Sequence, residues 1–409
     1  MPNLDSKFID TATREMRSHG IDGWLLYDFR ARNQIAADLI GLPEGQKRRY
    51  FVLVKPGIEP VALVQRIEIP GWDGWPYELR SYVSWKDLED NLRALLDDME
   101  VVAMEVSPID SIPYVDNVPA GVVELVESLG PKVVSSVDLI SNTAAQWGDR
   151  GYRLHVEAAE ILARTARTAF ELAFGCVGLT PHADPHTAKA YDLAKTPTIL
   201  TEHDLAEWIR LWLTGKGLVE VDTIVAVGSN AAKPHYEPLA EGSSPIAENQ
   251  VLMVDLWGRV GGEPEAVFAD QTWMGFLGPN PPADVTDAWG AVVAARDGAV
   301  DAIRQNPNAT GADADRCARK ILIGRGYEDA IFHRTGHGID REIHGVGPTL
   351  DSIEMRDDRH LVPGIGFSVE PGVYLEGHFG QRTEIDVYMR EAGPEVTPSQ
   401  IQHDLWCTE

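Results

Sequence analysis

The sequence predicts an α+β chain in two parts, a smaller α/β part over residues 1–150 and a larger α+β part over 151–409. Three observations predict it. Before residue 150, short apolar runs of strand character alternate with segments of helical period. Beyond it, long segments with an apolar helical stripe come first and strand-like runs follow, an order that occurs twice. Several of those later strands also carry a carboxylate inside an apolar run, which is costly unless something cationic compensates it.

The elements follow in order. Residues 23–27, 50–55 and 60–65 read as strands, the last two joined by a turn at Pro56-Gly57. Residues 85–99 have helical spacing at Leu88, Leu92, Leu95 and Leu96, and a strand is expected at 101–106. A helix over 111–129 and a strand over 132–137 complete this part. It carries no convergent His/Asp/Glu set, so a non-catalytic domain is expected.

Near residues 146–151 the pattern changes. A long helix follows, with Leu154, Ala158, Ile161, Thr165, Ala169 and Leu172 on one stripe. Thr201 to Asp204 has the form of a capping box, opening a helix whose face is Leu205, Trp208, Ile209, Trp212 and Leu213. Strands are expected at 222–227, 251–257 and 268–276, helices at 285–304 and 312–323, and strands at 365–374 and 384–390. Helices then strands, twice over, point to an internal structural duplication.

Composition narrows the partners. With 409 residues, 44% hydrophobic and 24% charged, the chain reads as a soluble globular protein of two or three domains. Its net charge of -27 argues against nucleic acid, which needs a basic surface. Cys176, Cys317 and Cys407 are far apart and form no CxxC pair, so neither a disulfide framework nor a zinc ribbon is expected. The N-terminus lacks the apolar core of a signal peptide, and no apolar run is long enough to span a bilayer. A cytoplasmic protein without a membrane partner is expected.

The chemistry gathers in the last third. Asp255 interrupts the apolar run that starts at Val251, and Asp270 repeats the anomaly on the next strand. If those strands pair as a hairpin, both carboxylates can share a face. His337 lies between Gly336 and Gly338, which let backbone and ligand approach closely. His333 and His344 stand nearby, Glu370 ends a strand at Pro371-Gly372, and Glu384 opens another strand two residues after Arg382. Oxygen-rich ligation with one imidazole suits manganese or a similar divalent ion. Four carboxylates offset two such ions, whereas one would leave the site overcharged.

The order Asp255, Asp270, His337, Glu370, Glu384, with GHGI at 336–339, SVEPGVY at 368–374 and RTEIDV at 382–387, resembles the creatinase/methionine aminopeptidase (M24) superfamily of pita-bread dimetal peptidases. The length and the N-terminal part make it similar to the Xaa-Pro dipeptidase (prolidase) and aminopeptidase P branch. The resemblance implies a pita-bread catalytic domain behind a creatinase-like N-terminal domain. It implies two divalent ions, manganese first, with cobalt or zinc as alternatives. Asp255 would chelate one, Asp270 and Glu384 would bridge both, and His337 and Glu370 would complete the other. Glu370 would also shuttle the proton of the attacking water. His344, seven residues after His337, matches the histidine that contacts the scissile carbonyl. His235 and His333 match histidines of the substrate pocket. Arg382 matches an arginine that orients a metal-binding carboxylate. Arg356, fourteen residues before Glu370, falls where prolidases keep an arginine for the dipeptide's terminal carboxylate.

The implied activity is cleavage of Xaa-Pro-type bonds, with a homodimer expected from the relatives. The alternatives are an aminopeptidase P acting on longer peptides, a creatinase-like hydrolase of a small non-peptide amide, and a catalytically silent binding protein. Retention of all five ligands argues against the last. Departures bear on the substrate: the loop between Asp255 and Asp270 is longer than usual, GHGIG reads GHGID, and Asp270 is followed by Gln271-Thr272-Trp273.

Overall fold

The apolar runs of the N-terminal part become the strands of one mixed sheet. The structure, a computed structural model, describes residues 4–41, 46–178 and 201–408, and its contacts divide the chain into a unit ending at Gln146 and a unit beginning at Trp147. The first unit runs α1 (Ser6–Ser18), β1 (Gly23–Asp28), α2 (Gln34–Ile40), β2 (Tyr50–Val54), β3 (Val61–Gln65), β4 (Glu78–Tyr82), α3 (Trp85–Leu96), β5 (Val101–Met104), α4 (Ala120–Ser128), β6 (Lys132–Ser135) and α5 (Val137–Asn142). The sheet order is β4-β3-β2-β1-β5-β6. One core joins Leu25, Phe51 and Leu63 of the sheet to Leu88, Leu92 and Leu96 of α3.

Two expectations here are corrected. The helix expected over 111–129 forms only as α4, because Pro113 and Pro119 cannot continue a helix and the chain before Pro119 makes 3-10 turns instead. The strand expected to Val137 ends at Ser135, and Val137 opens α5. The strand β4 is Glu78-Leu79-Arg80-Ser81-Tyr82, with only Tyr82 buried, and sits at the sheet's edge, which hid it from a search for apolar runs.

The second unit runs α6 (Gly148–Cys176), α7 (Glu202–Gly215), β7 (Leu218–Val227), β8 (Val251–Val260), β9 (Ala269–Phe276), α8 (Ala283–Gln305) and α9 (Gly311–Gly324). It closes with β10 (Gly338–Ile339), β11 (Gly366–Val369), β12 (Gly372–Leu375), β13 (Phe379–Arg382), β14 (Ile385–Arg390) and β15 (Gly393–Thr397). Thr201 caps α7 with both bonds of a capping box. The inner faces of α6 and α7 (Leu162, Phe170, Leu205, Ile209) pack on Val254 and Trp273 of the sheet β7-β8-β9. The helices α8 and α9 precede the second strand group, so the helices-then-strands order recurs in space. The strand expected over 365–374 is two strands. Pro371 has no N–H to donate, and the chain leaves β11 to pair β12 with β13 while β11 pairs with β10 and β14. That break presents Glu370. Among the described residues, no helix is long and apolar enough to cross a membrane.

A second buried acid lies far from these strands in sequence. Glu105 of the first unit is fully buried and accepts from Trp24 Nε1 at 2.5 Å, Asn33 Nδ2 at 2.8 Å and Ser136 Oγ at 3.4 Å, all neutral donors. Loss of solvation outweighs those bonds and lifts its pKa from 4.5 to about 7. A carboxyl whose folded pKa is raised stabilises the fold below its unfolded pKa, and that contribution is lost as pH rises through the folded value. Between pH 4.5 and 7 the wild type should therefore lose about 3 kcal/mol through this group, and Glu105→Gln should flatten that slope. Denaturant unfolding at pH 4.5, 6 and 7.5 in both proteins measures the difference.

Candidate metal centre

The hairpin β8–β9 supplies the first two acids. Its register opposes Asp255 to Thr272 and Trp257 to Asp270, so the two aspartates sit two positions apart on one face, as period-2 alternation requires. Glu370 follows β11 and Glu384 precedes β14, and the Glu384 N–H bonds to Thr272 O at 3.2 Å, tying the second strand group to the hairpin. His337 reaches the same place because its flanking glycines run against other backbone. A Cβ at Gly336 would stand 2.0 Å from Ser368 O, and one at Gly338 2.8 Å from Gly347 O. A side chain at 336 would push the histidine segment off β11, and one at 338 would push it off the loop at Gly347.

All five side chains are largely buried and mutually close. Oxygens of Asp270 and Glu384 and a nitrogen of His337 lie within 4.8 Å of one another. His337 Nδ1 lies 3.2 Å from Gly338 O, which can only accept, so Nδ1 carries the proton. Its Nε2 lone pair then faces Asp270 Oδ2 at 3.6 Å and Glu370 Oε1 at 3.4 Å. A lone pair aimed at two carboxylates is stable only with a proton or a cation between them.

Charge compensation falls largely to Arg382. Its guanidinium bonds Asp255 Oδ2, and its Nε donates to Thr272 Oγ1 at 3.0 Å, while that hydroxyl donates to Glu384 Oε2 at 2.8 Å. One guanidinium does not balance four acids. Desolvation lifts Asp255 to about 7 against the pull of Arg382, and burial with neighbouring Asp270 and Glu370 drives Glu384 well above its ordinary range. Burial also raises Asp270. Glu370 behaves differently: the charges of protonated His337 and of Arg382 overcome its burial and hold it below the usual range. Asp255 Oδ1 and Asp270 Oδ1 are buried without a hydrogen-bond partner. Orphaned carboxylate oxygens, an imidazole lone pair and an excess of negative charge are what divalent cations satisfy. The donor set fits divalent metal.

The remaining candidates divide. His333 Nδ1 lies 2.6 Å from Arg334 O and so is protonated, and its Nε2 accepts from Tyr374 O–H at 2.6 Å. Tyr374 OH also receives Arg382 Nη1 at 3.4 Å, which links His333 to the arginine of the centre. His344 is exposed on one side, with its ring edge-on to His337 at 4.4 Å. Desolvation at its inner side, then the charges of His337 and Arg334, push its pKa down to about 4. His235 is exposed, and its charge opposes protonation of both His333 and His344. Arg356 is not brought to the cluster: its side chain is 72% exposed and its Nε pairs with Asp358 at 2.7 Å. Arg334 is the arginine whose charge reaches His337, His344 and Glu370.

Several participants were not singled out in the sequence. Thr272 relays between Arg382 and Glu384, and Ser368 Oγ joins the His337 N–H to Glu370 Oε1. Asp386, fully buried, accepts the Asp270 N–H at 3.1 Å, with His155 behind it at 3.7 Å. Its position two after Glu384 in a β-strand, hence on the same face, was the available signal.

The match to the model of metallopeptidase family M24 spans residues 155–391, more than half of the chain, a range that includes all five candidate ligand positions. The chain belongs to metallopeptidase family M24. Among M24 relatives it is 32% identical over 217 residues to the probable dipeptidase PepE of Mycobacterium tuberculosis, covering 52% of this chain and 54% of that one. It is 34% identical over 171 residues to the Xaa-Pro dipeptidase of Lactobacillus delbrueckii subsp. lactis, covering 41% and 43%. The matched segments thus span about half the length of these curated relatives. The crystal structure of dipeptidase PepE from Mycobacterium ulcerans superimposes with a TM-score of 0.72 at 22% identity, covering 98% of this chain and 97% of that one. The α+β class expected from the sequence is thus the fold of that dipeptidase structure over nearly its full length.

Metal-free protein should gain stability on addition of manganese, by about 2.7 kcal/mol at a hundredfold excess over Kd. Thermal melts read this directly. Asp270→Asn with Glu384→Gln should abolish the shift, and elemental analysis of the reconstituted wild type should find about two ions per chain. No shift in a folded wild type would contradict the assignment.

Proposed function

We propose that this M24 chain is a dinuclear-metal hydrolase of Xaa-Pro dipeptidase type. The observation that carries the proposal is the set of buried acids around the His337 lone pair, with two carboxylate oxygens left without partners. The mycobacterial and Lactobacillus relatives, a probable dipeptidase and an Xaa-Pro dipeptidase, support the substrate class. Asp255, Asp270, His337, Glu370 and Glu384 would hold the ions. When bound, a divalent pair brings a water near neutral pKa and polarises the scissile carbonyl.

The chain's own groups do the rest. Glu370, held below the usual carboxyl range with Arg382 among the charges that do so, takes the proton of the attacking water and returns it to the leaving nitrogen as the C–N bond breaks. The Ser368 hydroxyl at 3.2 Å orients it. His344, neutral at physiological pH, donates to the carbonyl oxygen as negative charge develops there. His235 and His333 line the pocket, the latter locked to Tyr374. A prolyl nitrogen has no N–H, so recognition of the residue after the scissile bond falls to ring fit and to the terminal carboxylate. We assign that carboxylate to Arg334 in place of Arg356, because Arg334 is half-buried and lies three residues before His337, next to His333, whereas Arg356 is turned outward to Asp358.

The test is kcat/KM for an Xaa-Pro dipeptide, its C-terminal amide and an Xaa-Pro-Yaa tripeptide, with manganese-loaded protein. The free dipeptide should be cut best. Glu370→Gln should lower kcat by about 10²–10⁴ with metal retained. Arg334→Ala should cost about tenfold or more on the dipeptide and little on the amide, and Arg356→Ala should be near neutral. A preference for the tripeptide with neither arginine mattering would make this an aminopeptidase P. No cleavage of any of the three with metal bound would favour a non-peptide amide.

A further inference from the structure

The family's GHGIG run ends here in Asp340, and that carboxylate has a specific use. Residues 340–347 form the loop that carries His344. Asp340 Oδ1 accepts the Glu342 N–H at 2.8 Å and its Oδ2 accepts the Val346 N–H at 2.9 Å, so one side chain closes both ends of the turn. Its backbone adds two bonds, N–H to Glu342 O at 3.1 Å and its carbonyl to the Phe268 N–H at 3.0 Å, the latter rooting the loop two residues before Asp270.

Two features show that the rest of the loop is shaped around this carboxylate. A Cβ at Gly345 would stand 2.6 Å from Asp340 Cγ, so the carboxylate reaches Val346 only because residue 345 has no side chain. From the other side, Arg359 donates Nη1 to Val346 O at 2.7 Å and Nη2 to Gly347 O at 2.8 Å. The charge of Arg359 is neutralised by buried Asp357 at 2.7 Å. The peptide groups of Val346 are therefore gripped at the N–H by Asp340 and at the C=O by Arg359. His344 lies two residues upstream of this clamp. A glycine at 340 would leave the Val346 N–H to water and the loop held from one side only.

We propose that Asp340 is a positioning residue that fixes the His344 imidazole beside His337 by clamping the Val346 peptide. The proposal rests on the reading of His344 as the donor to the scissile carbonyl. Both oxygens of Asp340 accept, so asparagine replaces only one of them and turns an N–H towards the other amide.

Hydrogen exchange tests the clamp without any turnover. In Asp340→Ala the Glu342 and Val346 amides should exchange about tenfold faster or more, with global melting unchanged. Asp340→Asn should fall between it and wild type. Kinetics tests the purpose. With manganese uptake unchanged, Asp340→Ala should lower kcat about tenfold while leaving KM near wild type. The double variant Asp340→Ala/His344→Ala should be no slower than His344→Ala alone. Unchanged exchange at Val346, or losses that simply multiply in the double variant, would overturn the proposal. Full turnover in His344→Ala would instead overturn the reading of His344, and the exchange result would still decide whether the clamp exists. If Asp340→Ala fails to fold, Gly345→Ala, which displaces the same carboxylate, should show the same exchange and kcat pattern, and wild-type behaviour there would overturn the proposal.

Discussion

The candidate centre of the second unit answers to one electrostatic constraint, four carboxylates buried together with a single guanidinium bonded among them. Removing one carboxylate from water costs several kcal/mol, and like charges at close range add to that. Arg382 answers for Asp255 directly and for Glu384 through the Thr272 hydroxyl. What is left unbalanced appears as orphaned oxygens on Asp255 and Asp270 and as the raised pKa values of Asp255, Asp270 and Glu384. Such a cluster must hold protons or cations, and the ligand chemistry favours cations.

Other buried acids of the same unit show the contrast. Glu202 is fully buried and accepts from the Val227 and Ser244 N–H groups, Asn230 Nδ2 and the Tyr236 hydroxyl, which shapes the loop bearing His235. Asp315 accepts from the N–H and hydroxyl groups of both Thr335 and Ser352 and pairs with Arg319, pinning the segment before His337. Glu202 and Asp315 carry several hydrogen bonds each and serve as struts. Asp255 and Asp270 each keep one buried oxygen without a partner, which is where a cation would be held.

Much of this was legible in the sequence, for physical reasons. A period of two places Asp255 and Asp270 on one face once their strands pair. The glycines around His337 signalled a close backbone approach, and the Thr201 capping box fixed the start of α7. Other features were hidden by the kind of signal they needed. Arg356 was placed by spacing across a loop, and spacing does not set the direction of a side chain whose neighbour Asp358 offers a nearer partner. Pro371 was visible, but the apolar run on both sides of it masked the division into β11 and β12. Pro113 and Pro119 limited α4 in the same way. Asp386 and Ser368 act through neighbours on adjacent strands, and only the register reveals such partners.

Whether the buried acids are ligands is tested most directly by anomalous diffraction from manganese-loaded crystals. Two anomalous peaks are expected inside the cluster, one against Asp255 and one against His337 and Glu370, with Asp270 and Glu384 touching both. An empty cluster at saturating manganese, with its carboxyls hydrogen-bonded to one another and the anomalous signal confined to surface acids, would contradict it.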